Sequence, residues 1–485
     1  MINWRLIFKI LGSLLFIEAF LMLLSLIMAL YFDGDDCPAF IFSTAVTLLA
    51  GFVLCAVGST ERDMLSRRDA YLVVTLSWVL FSLFGTLPFL ISGYVSNFTD
   101  AYFETMSGFT TTGATVIDDV EALPKGLLFW RSLTHWIGGL GIVFFTVALL
   151  PSLVNGSTKV FAAEATGPIK RKLHPKISTN AKWIWVIYLI LTVACMASYI
   201  ACGMNWYEGL NFSMSTTATG GFSIYNNSDE YFHSAAIDYA TVLFCFLSGV
   251  NFTLLYVSVV KMKFKHLLKN MEFRFYSAMV AGCTLFIMIE LMARNGYGLE
   301  HAFRSSIFQV VSFITTTGLF NDDAAKWPHV TWLVLSVCMF VGACSGSTSG
   351  GLKCVRGVML LKVVKNEFRQ MLHPSASLAL KVDGVNVPPS KRVTLLAFLT
   401  SYLMLCLIIA FVMIASGIDS TNSFTITISC LSNVGPTLGT EIGPTMSWSD
   451  LPTFAKWLCS AMMLIGRLEI FSALVIFTPQ FWTRN

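Results

Sequence analysis

Ten apolar stretches punctuate the chain, each about as long as the roughly 19 residues that a helix needs to cross hydrocarbon. Residues 6–31, 127–150, 275–293 and 394–416 are the clearest of them. Lipid satisfies no backbone hydrogen bonds, so a chain built this way folds as an all-α polytopic membrane protein. Composition agrees, with 55% hydrophobic and only 12% charged residues. The first stretch outruns a signal-peptide core and no small-residue cleavage site follows it, so it reads as a permanent anchor. The 12 cysteines, among them Cys195, Cys245, Cys283, Cys338, Cys406 and Cys459, lie mostly inside apolar stretches without CxxC spacing. They suggest neither a disulfide framework nor a zinc site.

Charge placement sets an orientation. Of 32 Lys and Arg, 25 fall at the two termini and in residues 61–69, 152–182, 261–274 and 353–392. The positive-inside rule makes those segments cytoplasmic, and ten crossings return both termini to that side. The opposite connections carry Asp33, Asp35, Asp36, Asp100, Glu104, Asp118, Asp119, Glu121, Glu208, Asp229, Glu230, Asp322, Asp323 and Glu441. A field of that sign concentrates cations, although acids that merely keep a loop soluble would look the same.

Internal repetition narrows the reading further. After the first two crossings, one pattern occurs four times: a long apolar helix, a shorter amphipathic stretch, a Thr/Gly-rich knot, and another long helix. The knots are Thr110-Thr111-Thr112-Gly113, Ala218-Thr219-Gly220-Gly221, Thr315-Thr316-Thr317-Gly318 and Ser432-Asn433-Val434-Gly435. Their last glycines lie 108, 97 and 117 residues apart. The stretches before them, 98–109, 206–217, 299–314 and 421–431, are too short to span a bilayer, which predicts re-entrant half-helices. Irregular backbone at that depth survives only where protein buries it or water reaches it. Half-helix carboxyl ends favour a nearby cation, and glycine permits the dihedrals that turn successive carbonyls toward one axis. Stacked carbonyl rings of this kind replace a potassium ion's hydration shell.

The sequence therefore predicts four parallel membrane-pore-membrane repeats around one pseudo-fourfold pore, plus an N-terminal helix pair. The expected divisions are 1–69 for the pair and 70–160, 161–270, 271–380 and 381–485 for the repeats, with knots at 110–114, 218–222, 315–319 and 432–436. One crossing is unusual. Gly342-Ala-Cys-Ser345-Gly346-Ser347-Thr348-Ser349-Gly350-Gly351 cannot hold a straight helix, because glycine and hydroxyls both compete against it. The second helix of the third repeat should break over 342–352. The segment is no phosphate loop, since Lys353 is displaced from Gly351, Cys354 replaces the Ser/Thr, and no strand precedes it. Close packing of small residues is the alternative reading of the same glycines.

The four repeats, one glycine per knot, His135-Trp-Ile-Gly-Gly-Leu-Gly141 and Gly466-Arg467-Leu-Glu469 together resemble the Trk/Ktr/HKT superfamily of potassium transport proteins. The additional pair at 6–59 resembles its TrkH branch. This resemblance covers essentially the whole chain and implies that Gly113, Gly221, Gly318 and Gly435 occupy four filter positions for K+, and for Rb+ with it. In plant relatives a serine at the first position accompanies sodium permeation, so Gly113 implies a potassium-selective form. The fourth knot departs most, with Asn433-Val434 in place of a Thr pair, which implies looser selectivity. The resemblance further implies that the broken segment is a gate beneath the filter, with Arg467 beside it. It also implies a homodimer in the bacterial inner membrane, served by a cytoplasmic ring of NAD- and ATP/ADP-binding subunits of the TrkA kind. The basic segment 353–392, with Lys362, Lys365, Arg369, Lys391 and Arg392, offers a face for that ring or for anionic lipid.

Charges inside crossings require partners. Arg467 and Glu469 lie deep in the last one, Glu18 and Glu290 read as interfacial or packed carboxylates, and His135 reads as a satisfied core histidine. A gated channel accounts for parallel repeats and one broken helix. A K+/H+ or K+/Na+ symporter is the alternative, with Glu290, Arg467 and Glu469 as relay candidates. HExxH, GxSxG and paired catalytic carboxylates are absent from the sequence, which argues against an enzyme. No nucleotide motif or nucleic-acid signature is present, and the transported potassium ion is the only ligand expected.

Overall fold

Six helices of the computed structural model are long and apolar enough to cross a membrane, within the described residues 2–58, 65–141, 177–376, 378–439, 443 and 445–483. They are α1 (Trp4–Tyr31), α2 (Cys37–Val57), α3 (Arg67–Ser92), α6 (Ala181–Ala201), α10 (Met271–Arg294) and α14 (Pro389–Ala415). The four other expected crossings begin as α5 (Lys125–Leu140), α8 (Ala235–Ser248), α12 (His329–Val341) and α16 (Thr453–Arg467). Each stops at 13 to 16 residues, short of a full span. The rest of the expected crossing 127–150, most of the basic segment 152–182, residues 61–64, Glu441 and Arg484 lie outside the described residues.

Between these run four half-length helices: α4 (Phe98–Phe109), α7 (Trp206–Ala218), α11 (Leu299–Ile314) and α15 (Ser420–Ser432). Three of their starts are written into the sequence. Asn97 and Asp419 cap α4 and α15 through their side chains, and Asn205 with Glu208 closes a reciprocal capping box on α7. At 12 to 16 residues they extend about 18–24 Å, less than hydrocarbon thickness. Protein closes round their carboxyl-terminal ends, while Phe303 on α11 and Phe424 on α15 stay exposed. On α4 every residue from Thr99 to Phe109 is buried except Asp100.

The N-terminal pair packs through small residues. A side chain on Gly12 would meet Gly51 O and Cys55 at 2.7 Å, and one on Gly58 would collide with the Lys9 backbone, so α1 and α2 approach closely along this seam. Their connecting turn then anchors the pair to the rest of the molecule. Asp36 accepts the Leu127 N–H at 2.9 Å, and the Lys125 ammonium sits 4.2 Å above the Phe32 ring.

Sequence reasoning located a single broken helix, and the structure corrects this. The chain also turns by 103° between α8 and α9 (Phe252–Val259), and by 110° between α16 and the segment Phe471–Phe477. Asn251 supplies the first break by capping α9, accepting from Thr253 N at 2.8 Å and Leu254 N at 3.2 Å. Glu469 and Ile470 supply the second with φ of 52° and 54°, a region that costs a β-branched residue dearly. The break expected after α12 is present as an interruption over residues 342–353, before α13 (Cys354–Leu372). A two-stranded hairpin, β1 (Lys381–Val382) paired with β2 (Val385–Asn386), adds the strand structure that the all-helical expectation lacked.

Candidate functional site

All four half-helices end in one backbone motif. In the first knot Thr111 N donates to Gly108 O at 3.1 Å and Thr112 N to Ser107 O at 2.9 Å, a Schellman ending. The same pair of bonds recurs from Thr219 and Gly220, from Thr316 and Thr317, and from Asn433 and Val434. The residue at the left-handed position is Thr111 (φ 54°), Thr219 (53°), Thr316 (58°) or Asn433 (56°). Glycine normally stands there, and threonine pays about 1–2 kcal/mol for the conformation. Asn433 tolerates it better, so the fourth knot departs in sequence while keeping the backbone of the other three.

Hydroxyls brace two of the knots internally. Thr110 Oγ1 donates to Met106 O at 2.6 Å and lies 2.8 Å from Thr112 Oγ1. Thr315 repeats this with Val311 O at 2.6 Å and Thr317 Oγ1 at 2.7 Å. Ala218 and Gly220 carry no hydroxyl, and His135 fills the space beside Gly220 while its Nδ1 sits 2.7 Å from Gly108 O. Ser432 Oγ pairs with Tyr402 OH at 2.6 Å, and Asn433 Nδ2 donates to Thr112 Oγ1 at 3.0 Å and Met463 O at 2.8 Å. The bond to Thr112 stitches the fourth knot to the first.

The glycines that follow bring the knots together. Gly113, Gly221, Gly318 and Gly435 all have positive φ, from 81° to 98°. A Cβ on Gly113 would collide with Gly220 O, one on Gly221 with Thr317 O, one on Gly318 with Val434 O, and one on Gly435 with Thr112 O. The contacts run first to second, second to third, third to fourth and fourth to first. They close on themselves, with the carbonyl preceding each glycine facing its neighbour. On the acidic side a cavity of about 90 Å³ opens over these glycines, lined by Asp118, Tyr225, Phe320 and Trp448. The Ser447 hydroxyl, with Ser449, holds the Asp118 carboxyl below its usual range and so keeps it ionised there.

Several acids assigned from sequence to a solvent field lie elsewhere. Glu104 is 1% exposed and bonds Arg131 at 2.9 Å, Asp100 bonds Lys456 at 2.7 Å, and Asp36 and Asp229 are buried. Asp118, Asp119 and Glu121 remain exposed. The Glu104–Arg131 pair is itself a brace that the sequence reading missed. Glu104 also accepts Val116 N at 3.0 Å, while Arg131 donates to Ser223 O at 2.9 Å, so one ion pair holds the segments beyond the first and second knots. An arginine within the apolar run 127–133 was the available signal.

Residues 342–353 lie directly against the other end of the knots. Gly342 ends α12 with φ 67°, and Gly346 and Gly351 take φ of 76° and 73°. Thr348 Oγ1 donates to Thr217 O at 3.1 Å and Ser248 O at 3.3 Å. Gly350 N donates to Thr316 Oγ1 at 2.7 Å, and Gly351 N to Ser432 O at 3.1 Å. Ser347 Oγ bonds Cys344 O at 2.6 Å, and Lys353 Nζ donates to Ser349 O. The loop thus touches the ends of three half-helices. Arg467 reaches it from the last crossing, donating to Thr348 O at 3.0 Å, to Gly139 O at 2.8 Å and to Gly138 O. One guanidinium therefore joins the loop to the end of α5. Glu469 pairs with Arg356 instead. Glu290 pairs with Arg294 at 2.8 Å one helical turn on, and Glu18 is fully buried.

A multi-pass helical membrane protein that gathers four such knots about one point has the architecture of a cation transport protein. Comparison with known proteins specifies the family. The model of the TrkH family, described as a cation transport protein, matches residues 38–484, and the chain belongs to that family. It is 37% identical to the Trk system potassium uptake protein TrkH of Halomonas elongata and 36% identical to that of Vibrio parahaemolyticus, each over 99% of both chains. The crystal structure of the potassium transporter TrkH from Vibrio parahaemolyticus superimposes with a TM-score of 0.89 at 34% identity, covering 99% of each chain. The protein is a transporter of this family and not an enzyme.

Proposed function

We propose that this chain is the ion-conducting membrane subunit of a Trk-type potassium uptake system, with K+, and Rb+ with it, passing between the four knots. The observation that carries this reading is the closed cycle of contacts from Gly113 to Gly435, in which one backbone motif occurs four times. Carbonyls at equivalent positions of the four knots would replace the ion's water shell. Thr110, Thr111, Thr112 and Gly113 form the first side of the filter. Ala218, Thr219, Gly220 and Gly221 form the second, Thr315, Thr316, Thr317 and Gly318 the third, and Ser432, Asn433, Val434 and Gly435 the fourth. The four repeats are related by an axis along the membrane normal.

The gate in this reading is residues 342–353, held against the filter by Arg467. Its contacts with Thr217, Thr316 and Ser432, at the ends of three half-helices, support that role, because a loop in that place obstructs whatever passes between them. The basic face 353–392 is the cytoplasmic side of a bacterial inner membrane, both termini lie there, and the chain works as a homodimer regulated by a nucleotide-binding ring. The relatives' printed names, Trk system potassium uptake proteins, support the choice of ion.

Purified protein in liposomes under a defined K+ gradient tests the reading. The reversal potential should follow the K+ equilibrium potential and ignore an imposed pH or Na+ gradient. A reversal potential that moves with either gradient would assign a coupled symporter.

A further inference from the structure

The basic-face hairpin is joined to the intramembrane loop through the amino end of one helix. Its turn, Asp383-Gly384, has positive φ at both residues (48° and 79°), the two-residue form that matches strand twist. Leu380, Val382 and Val387 bury against Val355 and Met359 at the start of α13, and Lys362 Nζ clamps Lys381 O at 2.6 Å. The hairpin therefore rides on the helix that begins where the loop ends.

The turn also reaches across to α10. Asp383 accepts Asn270 Nδ2 at 2.7 Å with one oxygen and Met271 N at 2.8 Å with the other. These are the cap and first residue of α10. The next residue, Glu272, is 8% exposed, and its Oε1 accepts two backbone donors, Ser345 N within the loop and Val355 N at 3.1 Å just beyond it. A buried carboxyl oxygen that loses its donors is left unsatisfied at a cost. A displacement of the turn would therefore be felt at the α10 end, which Glu272 links to the loop at Ser345 and to the start of α13 at Val355.

We propose that the hairpin Lys381–Asn386 is a lever on the loop 342–353, with Asp383 and Glu272 as positioning residues in series. The inference rests on the gate reading above, and it adds the route by which the basic face would control that gate. Neither carboxylate touches the ion. Each holds the loop in its obstructing position.

Rb+ flux into liposomes through the full-length protein, without any partner, is the test. Asp383→Ala and Glu272→Ala should each raise basal flux on the order of tenfold. The double variant should exceed neither single one, because residues in series lose the same coupling once. Glu272→Gln should return flux most of the way to wild type, since the amide oxygen still accepts both N–H groups. If Glu272→Ala fails to fold, the half-buried Asp383 carries the test alone. Flux unchanged in Asp383→Ala while Arg467→Ala raises it, or fully additive effects in the double variant, would overturn the lever and leave the gate standing. Wild-type flux in all of these variants, Arg467→Ala included, would overturn both.

Discussion

The two layers on either side of the knots are built on opposite principles. Above, four half-helices of different sequence converge on one backbone: the same pair of closing bonds, the same left-handed residue and the same positive-φ glycine. Below, the four adjoining helices stop at similar lengths and then diverge. The chain turns sharply after α8 and α16, is interrupted for 342–353 after α12, and reaches Gly141 after α5 with φ 91°. Equality is costly, since three threonines are held left-handed to keep it. A coordinating ring needs equivalent ligands, whereas an obstruction needs only one element able to move. Repetition above and individuality below are what a filter over a gate would require.

The largest effect should come from disturbing the upper layer's brace. Arg131→Ala strands the buried Glu104 carboxylate at a cost of about 3–5 kcal/mol. Thermal unfolding in detergent should show a large loss of stability, and Glu104→Gln/Arg131→Met should lose less. Gly113→Ser comes next. It puts a side chain at φ 81° against Gly220 O, a penalty of about 1–2 kcal/mol before the collision is counted, so K+ over Na+ discrimination should fall about tenfold or more. An unchanged permeability ratio would remove this position from the filter. A smaller effect is expected in the lower layer, where Arg467→Ala should raise basal flux severalfold. Arg467→Lys, which keeps the charge without the planar fork, should fall between. The smallest tests the cost of equality itself. Thr219→Asn should relieve left-handed strain and raise the thermal midpoint by about 1–2 °C with selectivity intact.

Local chemistry made much of the upper layer legible. The half-helices lie within a residue of the stretches read as too short to span, because the caps of three of them and the knots that end all four are written in adjacent residues. The break at 342–353 was legible for the same reason, as a dense run of glycine and serine. The breaks at Gly249–Asn251 and Leu468–Ile470 were not. A single Asn cap makes the first, and two strained residues held by tertiary contacts make the second. The acids misled because exposure depends on partners distant in sequence. Asp100 meets Lys456 across 356 positions, and Glu104 meets Arg131 across a helix boundary. Glu272 and Asp383 were invisible likewise, each an ordinary acid until the fold sets it beside backbone donors more than 70 residues away.

The division of labour between the layers has one direct measurement: K+ and Na+ flux through liposome-reconstituted protein with the loop shortened between Ser345 and Gly350. Flux should rise without any partner while the K+/Na+ ratio stays that of wild type. Unchanged flux in folded protein would contradict the gate, and a rise accompanied by collapse of the ratio would show that the loop supports the knots and is no separate layer.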